Sequence, residues 1–204
     1  MEIINREGKE LETILKELCE EYNITNEDYY YNYSTIEKKN GLFSKTNMYS
    51  VNIFLKKDLL VYIREYLEEL LTKMGLKVNF ESKLRDNVIY IKIYSDNNPI
   101  IIGKSGNTLK ALENIVKQKI NTELNIRPYI SLDVENYREK QEKRLERLAR
   151  NLAKEVTKTN MEIHLENMNA YDRRIVHNVL TNFKGVTTTS IGEEPNRHVV
   201  IKPE

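Results

Sequence analysis

Two short stretches carry residue types whose spacing suits chemistry. In IIIGKSGNTLKAL, residues 100–112, Gly103 and Gly106 bracket Lys104 and Ser105 immediately before a helical pattern begins. Glycines at that spacing let the backbone turn tightly and bring bare amides close to a ligand. A helix N-terminus beside them, with one lysine, makes the favoured ligand an anion. Ile102, Asn107 and Lys110 flank the loop and complete the expected contact set. In NAYDRRIVHNVL, residues 169–180, Arg173 and His177 stand four apart and so share one helical face, with Arg174 beside them. Arginine forks onto phosphate and histidine hydrogen-bonds or stacks on a base. The pair is expected to reach outward together onto single-stranded nucleic acid. Each motif alone also has an ordinary structural reading, as a helix-helix turn and as an intrahelical pair.

Enzymatic chemistry is disfavoured by the same residues. The GKS tripeptide would end a nucleotide-binding loop only with a glycine five positions before Gly103, where the chain has Asn98, and with a strand feeding straight into the loop. His164, His177 and His198 lack metal-ligand spacing, and Glu193-Glu194 reads as solvated charge in a turn. No catalytic residue, metal or cofactor is expected.

Composition bounds the rest. A chain of 204 residues, 40% hydrophobic, has room for one to three small domains with real cores. Its net charge of only +1 conceals a polarity: residues 1–75 carry 10 basic and 14 acidic side chains, residues 103–160 carry 13 and 8. The basic middle suits a phosphate-bearing partner, and equally a solvated helix face. Cys19 is the one cysteine and lies on an apolar stripe, so a buried free thiol is expected. The start has no apolar signal region and no window suits a membrane span, so the protein is expected in the cytoplasm.

The elements that must position the two motifs follow from periodicity. A short β segment, one amphipathic helix (Leu11 to Tyr22) and two tyrosine-rich strands around an Asn40-Gly41 turn form a β-α-β-β unit over residues 1–57. The Tyr29–Tyr33 cluster reads as strand tyrosines with one edge wet, and less readily as a stacking platform. After a short linker at Lys56–Asp58 comes a unit over residues 58–135, in order α-β-β-α-loop-α-β, with Gly75 as a helix stop. Residues 136–204 hold a long charged helix with an apolar side of Leu145, Leu148, Leu152 and Val156, the strand MEIHLE, a helix from Ala170 to Phe183, and two closing strands. The class is α+β, in three small domains. A Gly-x-x-Gly loop between helices in this order is the arrangement of the KH backbone clamp, with the isoleucines before it walling a groove for about four unpaired bases.

IIIGKSGNTLKALENIV, LDVENYREKQEKRLERLARNLAKEV and MNAYDRRIVHNVLTNFKGVTTTSIGEEPNRHVVIKP resemble the bacterial Jag family, the SpoIIIJ-associated proteins also called KhpB, and EGKELETILKELCEEYNITNEDYYY with KKNGLFS is similar to that family's N-terminal domain. The resemblance covers nearly the whole chain. It implies a Jag N-terminal domain, a KH domain whose clamp falls on Gly103, Lys104, Ser105 and Gly106, and a domain named for an arginine-x-x-x-histidine motif that falls on Arg173 and His177. It further implies single-stranded RNA as ligand, a small single-KH protein as partner, a role in cell-envelope or division regulation, and an indirect tie to a membrane insertase. The chain departs from the family in having Lys-Ser where a basic pair is usual, GLFS for GLFG, fewer prolines around LENMNAYDRR, and no long linker after the first domain. The rival reading is a protein-interaction adaptor, a homodimer among its forms, in which contact with RNA is incidental.

Overall fold

The computed structural model describes residues 1–40 and 44–204, so the Asn40-Gly41 turn and the GLFS stretch lie outside the described residues. It is an α+β protein, and its described residues form three separate three-stranded sheets. By packing, the chain forms two compact units: residues 1–101 with 107–135, and residues 102–106 with 136–204.

The first unit begins with β1 (Ile4–Gly8), α1 (Leu11–Tyr22), β2 (Tyr29–Asn40) and β3 (Ser44–Leu55), in sheet order β1-β3-β2, all antiparallel. Ile14 and Leu18 of α1, spaced four apart, bury against Ile4, Tyr29, Val51 and Ile53 on one sheet face. Cys19 is half-buried at the margin of that core, not enclosed by it, because its sulfur lies near Asn26 and the Tyr29 hydroxyl. Tyr29 is buried while Tyr31 and Tyr33 remain exposed, the wet-edged arrangement expected of strand tyrosines.

The stretch expected as a linker is the first turn of α2 (Lys56–Lys73). Lys56 is 3% exposed; its ammonium donates to the Glu27 carbonyl and lies 5.1 Å from the centre of the Tyr30 ring. Such pairing is what permits a charge to be buried. The Asn32 amide donates to the Leu124 carbonyl and the Tyr30 hydroxyl to the Asn87 carbonyl, so the first sheet is bonded to the elements that follow it. α2 ends where Gly75 turns to φ +80° and the amides of Gly75 and Leu76 cap Thr72 and Leu71, a Schellman closure.

β4 (Val78–Arg85) and β5 (Val88–Ser95) form a hairpin, and β6 (Tyr129–Val134) joins β5 in parallel. Alternation places Ile89, Ile91 and Ile93 inward. The short α3 (Asn98–Ile102) and the longer α4 (Asn107–Leu124) lie between β5 and β6 in sequence, and α4 buries Leu109, Leu112, Val116 and Ile120.

The second unit has α5 (Tyr137–Thr159), β7 (Ile163–His164), α6 (Ala170–Leu180), β8 (Val186–Ile191) and β9 (His198–Pro203), in sheet order β7-β9-β8. Its core differs from the expected leucine stripe. Leu145, Ala149, Ala153 and Val156 are the buried positions of α5, whereas Leu148 is 42% exposed. An i, i+4 row that includes two alanines lets α5 approach α6 closely, and the bulkier leucine is turned aside. Only two residues of MEIHLE pair as strand, and α6 stops at Leu180, short of Phe183.

Candidate nucleic-acid interface

The glycine loop has the backbone that its residue types suggest. Gly103 (φ +69°) and Gly106 (φ +77°) take left-handed conformations, as does Ser105 (φ +51°). Glycine adopts these at no steric cost, and serine accepts a modest strain. The Gly106 amide bonds back to the Gly103 carbonyl at 3.3 Å, closing one tight turn before α4 begins at Asn107. Lys104, Asn107 and Lys110 are exposed, and Ile102 is half-buried. Of the three isoleucines expected to wall a groove, Ile101 is fully buried in packing, which leaves Ile100 and Ile102 at the surface.

The loop is not bare on every side. An added Cβ on Gly106 would stand 3.0 Å from Cε1 of Tyr137, and Asn169 donates to the Ser105 carbonyl at 3.4 Å. Asn169 also caps α6, its Oδ1 accepting from the Asp172 amide at 3.0 Å. Beside the loop lies a cavity of about 580 Å³ whose wall includes Gly103, Ser105, Tyr137, Gln141, Arg144 and Asp172. Periodicity within one segment does not reveal Tyr137 or Asn169 as neighbours of residue 105. The Asn-x-x-Asp start of α6 is a legible cap signal, yet not a signal for the loop.

Arg173 and His177 share one face, but that face does not turn outward together as the spacing suggests. Arg173 is 7% exposed, and its Nη1 donates to the Met168 carbonyl at 2.7 Å and to Glu194 at 2.8 Å. The reason lies in the chain between β8 and β9, where Glu194, read from sequence as a solvated charge, supplies the carboxylate that a buried guanidinium requires. His177 is half-buried, with one ring nitrogen 2.7 Å from the Thr188 hydroxyl and the other 2.7 Å from that of Ser190. Burial, and secondarily the Arg173 charge, push its pKa below the ordinary 6.5, so the imidazole is neutral at pH 7. A neutral ring donates through one nitrogen and accepts through the other, and hydroxyls satisfy both. Arg174 is the exposed member of the set. Along α5, Arg144, Arg147, Arg150, Lys154 and Lys158 are all exposed, an extended basic face.

No group of three or more candidate ligands for a metal ion occurs among the described residues, and no helix there is long and apolar enough to cross a membrane.

Two stretches of the chain match known families. Residues 61–132 match the KhpA/KhpB KH domain, and residues 143–203 match the domain named for its arginine-x-x-x-histidine motif. The chain is similar to the RNA-binding protein KhpB of Clostridium symbiosum, 40% identical over 139 residues, which is 67% of this chain and 63% of that protein's length. It is 31% identical to RNA-binding protein KhpB of Bacillus subtilis (strain 168) over 163 residues, 79% of this chain and 78% of the relative. The match to the Lactiplantibacillus plantarum protein of the same name is 29% over 137 residues and spans 42% of its length. With a KH fold, a clamp-like loop and the arginine-histidine helix all in sequence order, the chain belongs to the KhpB family of proteins, which join a KH domain to an arginine-x-x-x-histidine domain.

Proposed function

We propose that the chain is a non-enzymatic, cytoplasmic RNA-binding protein that holds single-stranded RNA at the loop formed by Ile102, Gly103, Lys104, Ser105, Gly106, Asn107 and Lys110, and at a second surface on α6. The relatives named above are RNA-binding proteins, and this reading extends that property to the chain. The observation that carries it is the loop itself: three left-handed residues around an exposed lysine, directly before the N-terminus of an 18-residue helix. On α6, Arg174 is the residue placed to meet phosphate, while Arg173 and His177 hold the surface in shape from beneath. The exposed basic face of α5 supplies the long-range attraction that the net charge conceals. Two modest sites on one chain reinforce each other when a single strand reaches both. The working division is a first domain over residues 1–57, a KH domain over 58–135 and an arginine-histidine domain over 136–204.

The experiment is crosslinking in cells, purification under denaturing washes, and detection of covalently attached RNA. Recovery of RNA supports the reading; its absence, with the protein recovered, favours the adaptor. A small single-KH partner, envelope or division regulation and the tie to a membrane insertase rest on the family resemblance alone, and a homodimer belongs to the adaptor reading. The first sheet is the surface most suited to a protein partner, since Tyr31 and Tyr33 are exposed there and Tyr33 packs edge-on against Tyr49.

A further inference from the structure

The positive charge on the outer face of α5 is sorted by position. At about 3.6 residues per turn, Arg144, Arg147, Arg150, Lys154 and Lys158 fall within about a third of the helix circumference, and Lys140 and Lys143 extend the same arc toward the helix start. The glutamates of α5, at 139, 142, 146 and 155, lie outside that arc. Other helix lysines are joined to acids one turn away: Lys73 to Glu69 on α2, Lys119 to Glu123 on α4, and Lys143 to Glu139 in the first turns of α5. From Arg144 onward this stops. Arg144, Arg147, Arg150, Lys154 and Lys158 are exposed and none has an ion pair among the described residues, although Glu146 stands one turn before Arg150. Like charges one turn apart, as at Arg150, Lys154 and Lys158, repel and weaken the helix that carries them. A row that the chain itself leaves unneutralised fits a partner that supplies the anions.

Arg144 lines the same cavity as Gly103 and Ser105, so the stripe begins beside the glycine loop, and from Arg144 to Lys158 it runs about 21 Å along the helix. The arc holds no aromatic side chain on which an unpaired base could stack, and single-strand sites depend on such stacking. Its lysines and arginines suit phosphate contacts, which position a nucleic acid without reading its sequence. Duplex RNA is bound in this manner, through shape and backbone. A duplex also carries twice the charge per unit length of either strand, about one charge every 1.7 Å in the DNA case. A lipid surface is the poorer occupant, because the apolar side of α5, from Leu145 through Ala149 and Ala153 to Val156, is buried and has nothing to insert.

We propose that the outer face of α5 is a sequence-independent site for the backbone of an RNA stem, so that the preferred ligand of the chain is a single strand, held at the glycine loop, that continues into a duplex. This rests on the RNA-binding reading and names the class of RNA. The test uses the full chain and fluorescence polarisation with three RNAs: a uridine-rich single strand, the same strand continued into a hairpin whose stem is longer than α5, and the same strand continued into a shuffled sequence of equal length that cannot pair. The hairpin RNA is expected to bind about tenfold or more tighter than the unpaired RNA of equal charge, with a salt slope steeper by about 2 or more, at about 0.9 for each added duplex phosphate contact. In the triple variant Arg147→Gln, Arg150→Gln, Lys154→Gln the ratio of the two affinities is expected to fall close to one. Glutamine matches lysine and arginine in helix propensity, so the variant should fold, as circular dichroism checks. Equal binding of the hairpin and unpaired RNAs by the wild type overturns the stem site while leaving the RNA-binding reading standing. A hairpin preference that survives in the folded triple variant overturns α5 as its location. Failure of the wild type to bind any of the three overturns the RNA-binding reading and the stem site with it.

Discussion

The ring of Tyr137 lies against Gly106, so close that a Cβ on the glycine would stand 3.0 Å from the ring edge. Gly106 is therefore required twice, once for its φ of +77° and once for this contact. Gly75 isolates the first effect, because it has a φ of +80° with nothing within 4 Å of the added carbon. Gly75→Ala should cost about 1–2 kcal/mol from left-handed strain alone. Gly106→Ala should cost more, and Tyr137→Ala in the same chain should return part of the difference. Urea unfolding of the three variants measures both; equal losses for the two glycines would mean that the Tyr137 contact carries no energy.

Arg173 and Arg174 are adjacent but should fail differently. Arg173→Ala removes the partner of Glu194 and a donor to the Met168 carbonyl, which should cost about 2–4 kcal/mol of stability. Part of Glu194 is solvated, which places the expectation toward the lower end. Arg174→Ala, on the exposed side, should change stability by no more than about 0.5 kcal/mol while weakening RNA binding. Its salt dependence should lose about 0.7 in slope, the share of one phosphate contact on a single strand. Thermal melts and a salt titration of affinity separate the two residues. An Arg174→Ala slope equal to that of wild type removes Arg174 from the interface.

His177 makes stability depend on pH with a defined sign. In the unfolded chain it takes up a proton near 6.5, whereas in the folded chain burial holds its pKa lower. Between those values the unfolded state binds more protons, so stability rises with pH across the window. The contribution is complete above 6.5 and is lost as pH falls toward the folded pKa. His177→Gln should flatten that part of the curve in urea unfolding between about pH 7.5 and about pH 5.5. An unchanged slope would show that His177 is not held neutral by its surroundings.

Several elements were legible because one segment's periodicity was enough to define them. The stripe Leu11 to Tyr22 became α1, Gly75 became a helix stop, and the alternating isoleucines 89, 91 and 93 became the buried face of β5. The loop between α3 and α4 was also readable, since glycines at 103 and 106 permit the left-handed turns that other residues adopt only with strain. What stayed hidden depends on partners distant in sequence. Spacing places Arg173 and His177 on one face but cannot say that Thr188, Ser190 and Glu194 will meet that face. Nor can a leucine stripe reveal that Ala149 and Ala153, with their smaller side chains, will take the close contact and leave Leu148 at the surface. The MEIHLE segment had strand composition, yet only Ile163 and His164 found a paired edge on β9.

The central claim is that the loop from Gly103 to Gly106 grips a ribose-phosphate strand, and the double variant Lys104→Asp, Ser105→Asp tests it most directly. Lys104 is exposed, and aspartate tolerates the left-handed conformation that Ser105 adopts, so the fold should survive by circular dichroism. Two negative charges in front of the α4 N-terminus should then lower affinity for single-stranded RNA by about tenfold or more in a polarisation assay at fixed salt. A folded double variant that binds RNA as tightly as the wild type would contradict the account.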